Sequence, residues 1–200
     1  LVMIADPFVA RARKKSLGWI AFIGAVLALL SVEVVARDPG PAYSNLISSD
    51  MFSVFLHIVV IVAAILAILG SLNYLDQENL QRGEYYALVL FATAGMGILV
   101  GANELVTAFI GLEMSSISTY ILAGYRKQTG RGPEAAIKYF LLGSFATAFL
   151  LYGIALIFGA TGTTQIYEIA QRAPSAENHM LVIAALAMML IGLAGVVAGL

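Results

Sequence analysis

The chain has 200 residues, of which 60% are hydrophobic and 12% charged, and its net charge at pH 7 is −1. Soluble domains are about 45–50% apolar with glycine counted and about 25% charged, so a soluble fold of this length has too small an interior for this composition. The absence of cysteine excludes disulfides, thiolate metal sites and cysteine-held iron–sulfur clusters. The near-neutral charge and the dispersed basic residues give no indication of nucleic-acid binding.

Six apolar segments are long enough, or nearly so, to cross a bilayer as helices, which takes about 20 residues. They lack the period-2 alternation that strands of a membrane barrel show. The third and fourth segments meet in a tight turn, where Asn103 and Glu104 can cap the following helix, and Pro133 suits the first turn of the fifth. We therefore predict one all-α, polytopic membrane domain with spans at about 17–36, 52–74, 85–101, 103–124, 135–159 and 180–200.

The two ends of the sequence suggest a piece of a longer protein. The chain begins with Leu1 and stops at Leu200 inside an apolar run. No signal peptide is indicated, because the first basic cluster follows the first apolar residues instead of preceding them. We expect residues 1–5 to be the end of a preceding helix.

Basic residues are unequally distributed between the two sets of loops that alternate along the chain. Cytoplasmic loops of membrane proteins carry an excess of lysine and arginine. One set holds only Arg37 and Arg172, whereas the other holds eight basic residues. We predict that the second set is cytoplasmic: Arg11, Arg13, Lys14, Lys15, Arg82, Arg126, Lys127 and Arg131.

Glu113 is the ionisable residue that the predicted spans place deepest in the membrane. At 1.5 Å per residue it lies about 16 Å from the cytoplasmic end of its span, too deep for a short side chain to reach the headgroups. Because a charge at this depth is costly, we interpret Glu113 as a functional carboxyl that carries a proton or pairs with a cation. The alternative is a structural hydrogen bond between helices.

Small and hydroxyl-bearing residues surround Glu113 in the sequence. Gly111, Ser115 and Ser118 recur at helical spacing, which indicates close helix contact. Ser116 and Thr119 could add hydroxyls to a chain of water molecules near the carboxyl. We retain Ser115 and Ser116, together with Glu104 and His57, as secondary polar candidates, with simple packing as the alternative for Ser115.

Lys138 is the second ionisable candidate, about one turn into the span 135–159. It is open to two interpretations: a lysine whose ammonium reaches the membrane surface, or a titratable amine tuned by a nearby carboxylate. By these boundaries Glu113 lies about 12 Å deeper, so a direct salt bridge is not implied and water would have to connect the two groups.

The remaining polar groups have simpler interpretations. Glu104 begins a helix, where a carboxylate interacts favourably with the helix dipole. His57 lies about one turn inside the outer end of its span and is expected to be a packing or interfacial residue rather than a relay member. Glu33 is close enough to its outer helix end to reach the headgroups. We predict no metal site.

Two stretches of the sequence resemble a known family: RGEYYALVLFATAGMGILVGANELVTAFIGLEMSSISTYILAGYRK and PEAAIKYFLLGSFATAFLLYGIALIFGATGTT. They are similar to subunit N of bacterial NADH-quinone oxidoreductase, or respiratory complex I. The resemblance implies a subunit that moves protons through buried glutamate and lysine residues, driven by NADH–quinone chemistry elsewhere in the complex. Glu113 matches the glutamate of the family's fifth helix, and Lys138 matches the lysine of the sixth.

The same resemblance implies the cofactors, the partners and the location. No cofactor is expected in this chain, whereas NADH, FMN, iron–sulfur clusters and quinone belong to other subunits. The expected partners are other membrane subunits, the lipid bilayer and protons, in the bacterial inner (plasma) membrane.

The chain differs from the family at one position of interest, and two other functions are possible from the sequence. Where the family's seventh helix has a Phe-Lys pair, this chain has Gly195 and Val196, so these 200 residues alone are not expected to pump protons. One alternative is a subunit of a multisubunit cation/proton antiporter. Another is a non-catalytic membrane scaffold whose buried charges only hold helices together.

Overall fold

The computed structural model describes residues 2–6, 15–37, 39–78, 80–127 and 130–198. Arg11, Arg13, Lys14 and the end of the last predicted span at 199–200 lie outside these ranges. The described chain confirms the all-α class, with six helices long and apolar enough to span a membrane. The helices are α1 (Val2–Ala5), α2 (Lys15–Arg37), α3 (Met51–Gln77), α4 (Gly83–Gly101), α5 (Leu105–Ala123), α6 (Arg131–Thr161), α7 (Ile166–Arg172) and α8 (His179–Ala198).

The start of α6 differs most from the predicted spans. The apolar pattern began this helix at residue 135, whereas the structure begins it at Arg131. The polar first turn still favours a helix, because Pro133 loses no hydrogen bond there and Glu134 lies near the positive end of the helix dipole. Lys138 consequently lies about two turns inside the helix, not one.

The outer surface of the bundle is apolar, as a lipid environment requires. Leu27 on α2, Leu66 on α3 and Ile183 on α8 are each about 60% exposed. Every long helix satisfies its own backbone hydrogen bonds, which is one of the two ways a chain can cross hydrocarbon. The exposed apolar side chains and the lengths of the helices therefore both indicate a bundle that lies in a bilayer.

The membrane helices pack in two groups that share α4. In the first, Leu17 of α2, Ile68 of α3 and Tyr86 of α4 form a buried cluster. In the second, Leu112 of α5 packs with Leu150 and other buried residues of α6, and α8 packs along α6. This second group contains most of the residues singled out in the sequence.

Glycines let the helices of the second group approach closely. A Cβ on Gly95 of α4 would lie 2.5 Å from the backbone nitrogen of Ser115. A Cβ on Gly192 of α8 would lie 2.6 Å from the backbone nitrogen of Leu150. Since both neighbours are backbone atoms, the helices could accept a larger residue only by moving apart.

Loops at one end of the bundle, which we call the outer face, contain structure that the sequence did not reveal. Residues Gly40–Ala42 (β1) and Ile47–Ser49 (β2) pair as an antiparallel hairpin. Its turn holds Tyr43, Ser44 and Asn45, all with positive φ, a left-handed conformation that only asparagine among them adopts readily. Asn45 also accepts a hydrogen bond from the Asn103 side chain at 2.7 Å, which ties the hairpin to the α4–α5 turn.

The opposite end, which we call the basic face, carries the described lysines and arginines predicted to be cytoplasmic. Lys15 Nζ donates to Asn73 Oδ1 at 2.8 Å, and Arg126 forms an ion pair with Glu78. The Tyr125 hydroxyl donates to the Leu80 carbonyl at 3.4 Å. The assignment of this face to the cytoplasm stays a prediction.

Candidate functional site

Glu113 lies near the middle of α5, eight residues from the start of a 19-residue helix. Its side chain is half-buried. The Oε1 atom is buried without a hydrogen-bond partner among the described residues. An unpaired buried carboxylate oxygen is costly in a low-dielectric environment, so a hydrogen-bond donor placed at this oxygen would be favourable.

A cavity of about 160 Å³ lies beside this part of α5, where α4, α5, α6 and α8 meet. Hydroxyl-bearing residues line it on the α5 and α6 sides, and Leu112 and other apolar residues complete the wall. A cavity needs polar partners as well as volume to hold water, and five hydroxyl-bearing residues are among those that line this mainly apolar cavity. The lining hydroxyl residues are Ser115, Ser116, Thr119, Tyr120 and Tyr139.

The two secondary serines take different positions. Ser115 is buried, and its backbone nitrogen faces Gly95 at the α4–α5 contact, so close packing accounts for its size. The Ser116 side chain instead interacts with the phenol of Tyr120. Ser116 is therefore the serine with a polar contact on the side of α5 that bears Glu113.

Two aromatic residues join α5 to α6 beside the cavity. The rings of Tyr120 and Tyr139 meet edge to face with centroids 4.6 Å apart. Tyr120 also interacts electrostatically with Glu113. Sequence reasoning missed both tyrosines; the one available signal was the spacing of seven residues that places Tyr120 on the same helix face as Glu113.

Lys138 is not brought into contact with Glu113. Its Nζ pairs with Glu134 Oε1 at 2.5 Å, one helical turn earlier on α6, and its side chain is 69% exposed. The residue that follows it, Tyr139, instead faces α5. Glu134 is therefore a carboxylate near Lys138, but it belongs to the same helix.

Glu104 is a buried and fully bonded cap at the outer face. Its carboxylate accepts hydrogen bonds from Val106 N at 3.0 Å and Thr107 N at 2.7 Å. Burial raises the pKa of this carboxyl, but hydrogen bonds from Thr164, Val106 and Thr107 outweigh burial and hold the pKa below its usual 4.5. This arrangement confirms the expected role at the helix terminus.

His57 lies on α3, away from the Glu113 region. Its Nδ1 is 2.7 Å from the Ser53 carbonyl of the same helix. The ring borders a second cavity, of about 220 Å³, that is lined by residues of α2, α3 and α4. Gly97 of α4 lies against the ring, since a Cβ there would be 3.6 Å from Nε2. These contacts are those of a packing histidine.

The part of the chain that the structure describes contains no set of side chains that could bind a metal ion. No group of three or more His, Asp or Glu side chains comes together there. The chemistry available beside Glu113 is that of one carboxyl and several hydroxyls, which suits proton transfer.

Known proteins are similar to this chain in both sequence and architecture. A family model described as "NADH:quinone oxidoreductase/Mrp antiporter, TM" matches residues 102–199. NADH-quinone oxidoreductase subunit N 2 of Koribacter versatilis (strain Ellin345) is 41% identical over 202 residues, which cover 96% of this chain and 41% of that protein. The chain thus spans about two fifths of the length of this relative.

Two solved structures have a similar fold to this chain. A chain of respiratory complex I from Thermus thermophilus with bound aureothin superposes with a TM-score of 0.75 at 31% identity, covering 96% of this chain and 40% of that one. A chain of the Mrp complex from Dietzia sp. DQ12-45-1b gives a TM-score of 0.72 at 26% identity, covering 96% and 38%.

Proposed function

Because this chain belongs to the family of NADH-quinone oxidoreductase subunit N, we propose that it takes part in proton translocation coupled to electron transfer from NADH to quinone. It is a multi-pass protein of the bacterial inner membrane. The proposed role is that of an antiporter-like membrane subunit, with the redox chemistry carried out by other subunits.

The observation that carries the proposal is the state of Glu113. Its Oε1 is buried without a hydrogen-bond partner among the described residues, and the hydroxyl-lined cavity begins one helical turn away at Ser116. A carboxyl that served only as a structural tie between helices would be expected to have both oxygens bonded. An unpaired oxygen instead suits a group that changes its protonation state during turnover.

The physical basis of such a switch is a balance between two opposing effects. Burial in hydrocarbon favours the neutral, protonated carboxyl, whereas a nearby cation or hydrogen-bond donors favour the carboxylate. A conformational change that moves donors toward or away from Glu113 shifts this balance and so loads or releases a proton. In the proposed cycle, redox chemistry elsewhere in the complex drives that change.

We assign Lys138 a supporting role in the same path. Its ammonium is held by Glu134 at 2.5 Å on the basic-face half of α6. A lysine that exchanges one carboxylate partner for another gains or loses its preference for the charged form. We therefore propose that Lys138 takes a proton to or from the cavity when its bond to Glu134 is released.

The proposed partners follow from the same family. The relatives are named as subunits of multisubunit membrane assemblies. We propose that this chain assembles with other membrane subunits in the lipid bilayer, and that NADH, FMN, iron–sulfur clusters and quinone are bound by those or further subunits.

The test is Glu113→Gln in the assembled complex, which removes the titratable group and retains nearly the same shape. Proton pumping driven by NADH is measured in inverted membrane vesicles, and NADH oxidation is measured in parallel. We expect pumping to fall by at least about tenfold, in line with the usual contribution of a positioned proton-transfer group. The matched control is Glu33→Gln, at an exposed glutamate that pairs with Arg37, which should leave pumping unchanged.

Other outcomes distinguish the alternative functions. Unchanged pumping in the Glu113→Gln complex would show that the role assigned to Glu113 is wrong. Reduced assembly with normal turnover per assembled complex would favour a scaffold. Co-purification with antiporter subunits and no NADH-oxidising activity would favour a cation/proton antiporter, the function of the Mrp type that the family description also names.

A further inference from the structure

Tyr120 continues the polar face of α5 that begins at Glu113. Ser116 follows Glu113 by three residues and Tyr120 follows Ser116 by four, the two spacings at which helix side chains are neighbours. Tyr120 interacts with Ser116 and, electrostatically, with Glu113. The three side chains therefore form a polar line about 10 Å long, from the middle of the helix toward the basic face.

The phenol of Tyr120 is held in one place by α6. Tyr120 is only 6% exposed, and its ring packs edge to face against Tyr139 and Phe140, with centroids 4.6 and 5.9 Å away. The hydroxyl lies in a notch at Gly143, where a Cβ would overlap it and would be 2.5 Å from Cζ. Any larger residue at 143 would displace the hydroxyl, so this glycine sets the position of the phenol.

The notch places the hydroxyl of Tyr120 at the contact between α5 and α6. Tyr120 and Gly143 both line the cavity of about 160 Å³, as does Tyr139, the neighbour of Lys138. A structural tyrosine needs only its ring for the contacts with Tyr139 and Phe140. The hydroxyl lies at Gly143, beside the cavity, and it also interacts with Ser116, the residue between Tyr120 and Glu113 on the same helix face.

We propose that Tyr120 is a further residue of the proton path, linking the Glu113 carboxyl to the cavity at α6; this inference rests on the proposed function. A proton leaving Glu113, directly or through a water molecule, is accepted by the Ser116 hydroxyl oxygen as Ser116 gives its own proton to the Tyr120 oxygen. Tyr120 in turn gives its proton to water in the cavity. Each hydroxyl gains one proton and loses one, so one proton is transferred and neither hydroxyl keeps a charge.

The test is Tyr120→Phe in the assembled complex, which removes the hydroxyl and keeps the ring contacts. We expect the initial rate of NADH-driven pumping in inverted vesicles to fall by at least about tenfold, with a changed solvent deuterium isotope effect. The matched control is Tyr152→Phe, at an exposed tyrosine of α6. Pumping within about twofold of the unmodified complex, with an unchanged isotope effect, would overturn the inference.

Two further variants keep the outcome decisive. Fluorinated tyrosine at position 120 keeps the ring and the hydroxyl but makes the phenol more acidic. The rate of pumping should therefore change with the degree of fluorination. A constant rate would count against the relay even if the Tyr120→Phe complex failed to assemble. Glu113→Gln is measured alongside. Loss of pumping in Glu113→Gln but not in Tyr120→Phe would refute only the relay. Retained pumping in Glu113→Gln would instead refute the role that the proposed function assigns to Glu113.

Discussion

Replacing Glu104 by alanine should strongly destabilise the outer face of the bundle. The carboxylate caps α5 through Val106 N and Thr107 N and also accepts from Thr107 Oγ1 at 2.8 Å. Loss of an N-cap costs about 1 kcal/mol, and hydrogen bonds to a charged group contribute roughly 1.5–3 kcal/mol each. Because these contributions overlap, we expect a loss of about 2–4 kcal/mol in the free energy of unfolding.

The assay is unfolding of the purified protein by SDS titration in mixed micelles, followed by loss of helical circular dichroism. Glu33→Ala is the matched control, because the Glu33–Arg37 pair is exposed on both sides and such pairs contribute less than about 1 kcal/mol. Glu104→Asp should retain part of the stability, since aspartate is a good N-cap. Equal effects of Glu104→Ala and Glu33→Ala would refute the assignment of the cap.

The same carboxyl predicts a dependence of stability on acid. Its hydrogen bonds hold the pKa of Glu104 below its usual 4.5, so the folded state binds fewer protons than the unfolded state in that range. The contribution is therefore fully present above pH 4.5 and is lost as the pH falls through the lower pKa of the folded state. Glu104→Gln should remove this part of the acid dependence.

Two further predictions concern helix packing and alkaline pH. Gly95→Ala should lower the free energy of unfolding by about 1–3 kcal/mol, because the new Cβ would meet the backbone of Gly111 and Ser115 at 2.7 and 2.5 Å. Gly70→Ala is the control and should cause no such loss, because the space around Gly70 is open. SDS titration compares the two variants, and similar losses would contradict the close contact at Gly95. Burial, with a smaller effect of a nearby carboxylate, raises the pKa of Tyr125 from 10.0 to about 12, so its contribution is present below pH 10 and is lost as the pH rises through 12. Tyr125→Phe should remove that alkaline loss in thermal unfolding scans, and an unchanged alkaline profile would contradict it.

Apolar length made the helices predictable, but not every helix end. Hydrocarbon permits few structures, so long apolar segments are strongly constrained to be helical. Helix ends outside the apolar segments depend on local capping and on polar turns, which hydropathy does not register. The early start of α6 at Arg131 and the short helix α7 were therefore not predicted.

The hairpin at the outer face shows a second limit. Residues 40–49 contain a proline and a glycine and give no alternation that would indicate strands. The pairing is supported from outside the segment, where Asn103 N donates to the Leu46 carbonyl at 2.9 Å and Ile47 bridges to Ala102. Such long-range hydrogen bonds have no signature in the local sequence.

The sequence by itself determined that this is a helical membrane protein and that Glu113 lies near the middle of a membrane-length helix, because composition and apolar length act locally along the chain. Only the tertiary structure decided the neighbours of that carboxyl. It separated Lys138, which pairs with Glu134 on its own helix, and it placed Tyr120 in the notch at Gly143. Which side chains meet depends on the rotation and the close approach of neighbouring helices, and these are properties of the packed bundle.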